Sequence, residues 1–443
     1  MYRTISLIRD IRVLFFSIGI IIFGLLYYIM YNNPDNSNIG KTASLYLMGL
    51  ALLLIIRTII ARNFIYLAIF SFITIYVYPS KLFFFDGLLF SAHQPSLSYF
   101  TATQATLLFS LFLLVVNTFI IIPKGFTKQI VFRKNDFVFF ALFLISIIIV
   151  FTSKRTGNVY SGDIGEMTTL NEYVIIIFLI CFVYSNNERG KVLALYFLYG
   201  IYSYFAFIAG GRIELVLVGL LVVLTKLQYK LSFRFLIIGL IVFMWIMIIY
   251  GNIRSNPTIL LKSDLSSILF GFGSTNYGVQ ASNEGDVYWA SVRILRLIEE
   301  GELSIASRFD AVKYYFLSPA VPSSILPDSA NLTTYKVEIY SSGGGGLAPI
   351  TFYAMFGLLG PIILALFLVH MLNKYSKSKK NILRIYVLLL IITLPRWFAY
   401  NPIQLVKFCV WGIICYYLII SVEYTIKNFK KKGTIHENSN KCV

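Results

Sequence analysis

Apolar residues run in long blocks along most of this chain, broken by short polar stretches. A lipid-spanning helix needs roughly 20 predominantly apolar residues, within a range of about 17 to 25. Blocks of that kind fall near residues 12–31, 43–60, 64–79, 99–122, 137–152, 168–185, 192–209, 213–229, 235–250, 347–372, 382–395 and 403–421. The pattern predicts an all-α, polytopic membrane helix bundle of about twelve transmembrane helices. Two blocks are less regular: 213–229 is interrupted by Lys226, and 64–79 is short and followed by Lys81. Between the ninth and tenth blocks lies the one long stretch that cannot sit in a lipid core. It runs from Gly251 to Gly346 and holds charges, prolines and the glycine run Gly343 to Gly346. The chain thus divides into nine spans over 1–250, a cap loop over 251–346, three spans over 347–426 and a basic tail over 427–443.

Composition agrees with the pattern. The chain is 58% apolar and 13% charged, where a soluble domain carries about 25% charged residues. A mean hydropathy of +0.76 points the same way. The net charge of +18 would suit a nucleic-acid binder, but its distribution argues otherwise. If the N-terminus is inside, the inner segments hold Arg3, Arg9, Arg12, Arg57, Arg62, Lys124, Lys128, Arg133, Lys134, Arg189, Lys191, Lys226, Lys230, Arg234, the cluster 374–384 and the tail, which is most of the 38 Lys and Arg. Acidic residues gather on the other side. Basic inner loops are the orientation signal of a membrane protein, so both termini are expected in the cytoplasm and the cap loop outside. The run Val13 to Tyr31 after the first arginines is too long for a signal peptide and reads as a retained span. Cys181, Cys409 and Cys415 lie in apolar runs, and with Cys442 they suggest neither a disulfide framework nor a metal site.

The cap loop contains two helical patterns. The first covers about 287–300, with Asp286 as N-cap and Gly301 just past its end. Val287, Ala290, Ile294, Leu297 and Ile298 recur at helical spacing, and Arg293 and Arg296 share one flank. The second covers about 304–317, with the stripe Ile305, Phe309, Val312 and Phe316 and with Arg308 beside it. Such helices outside the membrane lie on its surface or pack over the bundle. Pro319, Pro322 and Pro327 predict irregular chain beyond. Leu82 to Phe90 is apolar but too short to span and is split by Asp86, so it reads as a re-entrant or interfacial piece.

Candidate chemistry gathers at the outer ends. Arg212, Arg254 and Arg396 each follow a span that ends outside, and Arg293, Arg296 and Arg308 lie in the cap. A guanidinium offers a planar fork of donors that matches phosphate oxygens and keeps its charge. Singly, each arginine also fits a residue reaching for the interface or paired with Glu214, Glu299, Glu300 or Asp310. His93, Asp86 and Glu338 are the candidate acid–base residues. Glu214 sits in an apolar run and calls for a partner. No nucleotide-binding, metalloprotease or serine-hydrolase signature is present, so a substrate would arrive already activated.

These features together resemble the Wzy-type O-antigen polymerases, which are bacterial inner-membrane proteins related to the O-antigen ligases. The resemblance rests on the span pattern and on two elements. Ala209-Gly210-Gly211-Arg212 is similar to the family's small-small-arginine opening of a helix. Gly343 to Gly346 followed by Phe352 to Gly360 resembles its glycine-then-FG element after the long loop. The resemblance implies a metal-independent glycosyltransferase needing no cofactor, with the long loop as a periplasmic helical cap. Its donor and acceptor would be oligosaccharide repeat units carried on undecaprenyl diphosphate. Arg212, Arg254, Arg293, Arg296, Arg308 and Arg396 would bind the diphosphate. The product would be O-antigen of lipopolysaccharide, or capsular polysaccharide. A flippase and a chain-length regulator are the partner proteins it implies, besides the lipid bilayer; nucleic acid is not among them. Related ligases use a long-loop histidine that this chain lacks. Two other readings stay open: a lipid-linked oligosaccharide flippase, and an O-antigen ligase.

Overall fold

The structure is a computed structural model that describes residues 2–87, 98–125, 130–153, 169–209, 211–255, 283–321, 325–340 and 345–439. It is all-helical, with 83% helix and no strand among the described residues. The helices are α1 (Tyr2–Asn32), α2 (Ser37–Ala61), α3 (Phe64–Ile75), α4 (Tyr78–Asp86), α5 (Tyr99–Phe119), α6 (Asp136–Thr152), α7 (Thr169–Tyr184), α8 (Arg189–Ile208), α9 (Arg212–Thr225) and α10 (Phe233–Ser255). They continue as α11 (Asn283–Glu299), α12 (Ile305–Leu317), α13 (Leu332–Tyr340), α14 (Ala348–Phe356), α15 (Leu359–Lys377), α16 (Asn381–Ile392), α17 (Leu394–Ala399) and α18 (Ile403–Ser439). Among the described residues, 7 helices are long and apolar enough to cross a membrane: Ile11–Asn32, Ser37–Ala61, Phe64–Asp86, Tyr99–Phe119, Arg189–Ile208, Leu359–Lys377 and Ile403–Ile426. Four further apolar helices are shorter, Asp136–Thr152, Leu170–Tyr184, Phe233–Ile246 and Asn381–Ile392. The protein is therefore membrane-embedded and built of helices, as the apolar blocks predict.

The helices form two compact units. The first comprises Met1–Lys128, Lys226–Lys379 and Thr393–Val406; the second comprises Gln129–Thr225, Lys380–Ile392 and Lys407–Val443. In the first, α5 is the central pillar and packs on α1, α2, α11, α14 and α15. Its residues from Thr101 to Thr118 are buried on every side. That leaves its polar side chains to bond inward, as buried polar groups must. Asn117 Nδ2 donates to Leu50 O at 2.9 Å and Leu113 O at 3.0 Å. Arg57 donates to Asn117 O and, at 3.1 Å, to Ile120 O at the C-terminal end of α5. A cation there complements the negative end of the helix dipole. Gly40 of α2 lets α4 approach closely, since a Cβ at that position would stand 2.0 Å from Phe84.

In the second unit α7 is buried along its length and packs on α6, α8, α9 and α16. Two polar ties serve this unit, the first of them on α7. Tyr184 donates its hydroxyl to Glu423 at 2.7 Å, and Arg133 reaches the same carboxylate at 3.0 Å. Lys191 pairs with Glu188 at 2.7 Å and with Asp136.

Several spans differ from the sequence blocks in their ends. The block 347–372 is two helices, broken where Gly357 takes φ +63°. Gly360 then comes so near the previous helix that a Cβ would lie 2.1 Å from Phe352 O. The block 64–79 extends to Asp86 through a turn at Tyr76 and Val77, where a helical run would otherwise have been too short to span. Gly87 ends it in the left-handed conformation at φ +64°, a role that suits glycine. The rest of the expected re-entrant piece lies outside the described residues.

Candidate functional site

Helices α11, α12 and α13, which fall in the 251–346 stretch, belong to the first unit together with α14 and α17. Helix α11 was expected to show one apolar face. It is buried on nearly all sides, from Val287 to Leu295, and so packs over the bundle. It starts at Asn283, which puts Asp286 in the first turn and not at the N-cap. An acidic residue there still favours the helix through its dipole. The Tyr288 hydroxyl lies 2.9 Å from Thr106 Oγ1 and donates to Ala102 O at 3.0 Å on α5. Trp289 meets Phe83 edge-on with ring centroids 5.1 Å apart. Helix α12 begins at Ile305, and Ser304 caps it by accepting from Ser307 N at 3.1 Å.

These elements converge on three residues, Gly345, Gly346 and Leu347. Gly345 O accepts from Lys336 Nζ of α13 at 2.6 Å. Gly346 N donates to Ala399 O at the end of α17 at 3.0 Å. Leu347 N donates to Ser291 Oγ of α11 at 2.7 Å. Gly345 and Gly346 take φ +114° and +148°, a region that strains any residue with a Cβ. The two glycines thus form a strap that three helices hold by three successive residues. Gly343 and Gly344 lie outside the described residues.

The strap brings buried cations together. Lys336 is fully buried and Arg293 is 7% exposed. Burial, and then repulsion by Arg293, lowers the Lys336 amine to about 7. Burial also lowers Arg293, against the pull of Asp286. Such costs attend any charge taken out of water. Arg396 lies on α17 one turn before Ala399, and its carbonyl accepts from Tyr400 N at 3.2 Å and Asn401 N at 2.9 Å.

The other sequence candidates fall elsewhere. Arg296 donates to Glu300 at 2.5 Å and stacks over Tyr340 at 5.8 Å. The Tyr340 hydroxyl donates to the same carboxylate and, with Arg296, holds Glu300 below its usual range. Arg308 Nη2 donates to Tyr353 O at 3.2 Å and its Nε to Ala354 O, capping α14. Asp86 pairs with Lys81 at 2.6 Å, both about a third exposed. Glu338 is exposed on α13. Arg254 is in the last turn of α10 and Arg212 opens α9 in the second unit. The side chains of Arg212 and Arg254, and all of His93, lie outside the described residues.

Sequence reading missed Lys336. Residues 332–340 read as Leu-Thr-Thr-Tyr-Lys-Val-Glu-Ile-Tyr, rich in β-branched and aromatic types that favour strands. Tertiary packing makes them helical. The four-residue spacing of Leu332, Lys336 and Tyr340 was the available signal. Glu172 was also missed. It is 5% exposed near the start of α7 and acts electrostatically on Lys407 in the second unit. Glu214 is 1% exposed, and its carboxylate folds back over the helix start. A Cβ on Gly211 would stand 2.5 Å from Glu214 Oε2, which explains why a glycine precedes Arg212.

Among the described residues no three His, Cys, Asp or Glu side chains gather to hold a metal ion. No family model, curated protein or solved structure matches the chain. What the fold defines is a class: an all-helical, membrane-embedded protein in which helices α11, α13 and α17 meet at a glycine strap beside the buried Arg293 and Lys336.

Proposed function

We propose that this protein is a polyprenyl-diphosphate-dependent glycan polymerase that joins lipid-linked oligosaccharide repeat units. In this reading the bundle has about twelve spans, its termini are cytoplasmic, and the cap covers the periplasmic face of a bacterial inner membrane. The observation that supports it most is the pairing of Arg293 with Lys336 at the glycine strap. A guanidinium beside an amine lowered to about 7 favours an anionic group, because the anion's approach draws a proton onto Lys336 and both charges then act in a desolvated place.

The reaction is a substitution at the anomeric carbon of the donor chain. A hydroxyl of the acceptor unit forms the new C–O bond. The bond to the lipid diphosphate breaks, and undecaprenyl diphosphate leaves with the electron pair. Negative charge develops on the leaving diphosphate, where Arg293, Lys336 and Arg396 stabilise it. The acceptor proton passes to a base, for which Glu338 and His93 are the candidates. Asp86 is the weaker choice because Lys81 already holds it. Arg308 and Arg296 are assigned structural roles, since a helix end and Glu300 hold them.

A deletion strain tests the reading against its rivals. Lipopolysaccharide bearing a core with one repeat unit supports a polymerase. Bare core would instead mean a ligase or a flippase and would overturn the assignment.

A further inference from the structure

Helix α12 presents its apolar stripe outward. Ile305 is 73% exposed, Phe309 64% and Phe316 59%. The opposite side is the packed one, with Ala311, Tyr314 and Tyr315 buried. At 3.6 residues per turn, Ile305, Phe309 and Phe316 lie within about 40° of one another around the helix. Arg308 flanks this stripe on one side, and the ion pair Asp310–Lys313, 3.0 Å apart, lies on the other. The helix is therefore amphipathic, and among the described residues its apolar face is left exposed.

The neighbours of that face indicate what covers it. Arg308 is bonded to the last carbonyls of α14, and its Nη2 lies 4.0 Å from a Cβ built on Gly357. Helix α15 begins at Leu359, directly after. It is one of the helices long and apolar enough to cross a membrane. Leu358, Leu359, Ile363 and Leu366 are 40%, 64%, 46% and 44% exposed, as side chains facing lipid are. The Arg308 side of α12 thus adjoins the starting end of a lipid-facing helix.

We propose that α12 lies in the plane of the bilayer interface, with Ile305, Phe309 and Phe316 immersed in the acyl chains of the adjoining leaflet. An amphipathic helix in that position buries its apolar face by about 5–10 Å at the headgroup boundary. The Arg308 bonds to α14 then fix the cap helices at a set depth. This inference needs only the membrane-embedded fold and stands apart from the polymerase reading.

Brominated phosphatidylcholine quenches tryptophan that touches acyl chains, and it is the probe. The full chain carries 4 tryptophans, whose signal is subtracted using the unsubstituted protein. Phe309→Trp and Phe316→Trp are made separately, so that one misfolded variant does not decide the result, with Lys313→Trp as the control. Reconstituted in brominated lipid, the added signal at 309 and 316 is expected to fall about twofold or more, and that at 313 to change little. Equal quenching at all three positions overturns the proposal. So does protection of 309 and 316 from both brominated lipid and aqueous iodide, which would mean a second copy or another protein on this face.

Discussion

Lys336 donates its buried amine to the carbonyl of Gly345 at 2.6 Å, and this bond ties helix α13 to the glycine strap. The folded amine is lowered to about 7 from an ordinary 10.5, by burial and then by Arg293. Between those values the unfolded chain binds one more proton than the folded chain. Stability from this group therefore rises with pH across that window. Thermal unfolding in detergent at pH 7 and at pH 10 checks it. The rise should be larger in the unsubstituted protein than in Lys336→Met; equal slopes would mean that the lysine is solvated.

The strap itself should be intolerant of side chains. Gly346 takes φ +148°, and a Cβ there would stand 3.2 Å from Ile294 Cδ1. Gly346→Ala is expected to destabilise the protein by about 1–3 kcal/mol, the range for a non-glycine residue held in sparsely populated backbone regions. An unchanged melting temperature would contradict this.

Arg308 separates a structural role from a chemical one. It bonds carbonyls of Tyr353 and Ala354 at the end of α14. Arg308→Ala should lower stability by about 1–2 kcal/mol, as loss of a favourably placed cation at a helix C-terminus does. Polymer made per folded molecule should stay near normal. A collapse of polymer with stability intact would instead return Arg308 to the substrate site.

Gly211 and Glu214 make a parallel case in the second unit. A methyl at 211 would stand 2.5 Å from a carboxylate oxygen that is fully enclosed. Gly211→Ala should destabilise by about 1–3 kcal/mol through overpacking, and Gly211→Ala with Glu214→Ala should be milder than the sum of the two single changes. Strict additivity, measured by thermal unfolding, would show that the two residues do not press on each other.

The helical, membrane-embedded class was legible because long apolar blocks have few other uses. Helix ends were less so. The break at Gly357 depends on Gly360 approaching Phe352 O, a tertiary contact that no local pattern announces. In the long stretch between the ninth and tenth blocks, α12 was legible from its stripe, while the structure makes Ser304 its cap and not its first residue. Its facing was not, because the same spacing serves a helix packed inward or one turned to lipid. The arginines were legible as a set, yet their partners divide them. Arg296 and Arg308 are held by Glu300 and by a helix end, while Arg293 sits with a lysine that β-type neighbours concealed.

Reconstitution tests the central claim most directly. Purified protein in liposomes is given undecaprenyl-diphosphate-linked repeat units, and the products are resolved by length. The account predicts a ladder of two or more repeats with release of undecaprenyl diphosphate. It also predicts loss of the ladder in Arg293→Ala and Lys336→Met proteins that remain folded. Single repeats left unjoined by the unsubstituted protein, or a normal ladder from both variants, would contradict it.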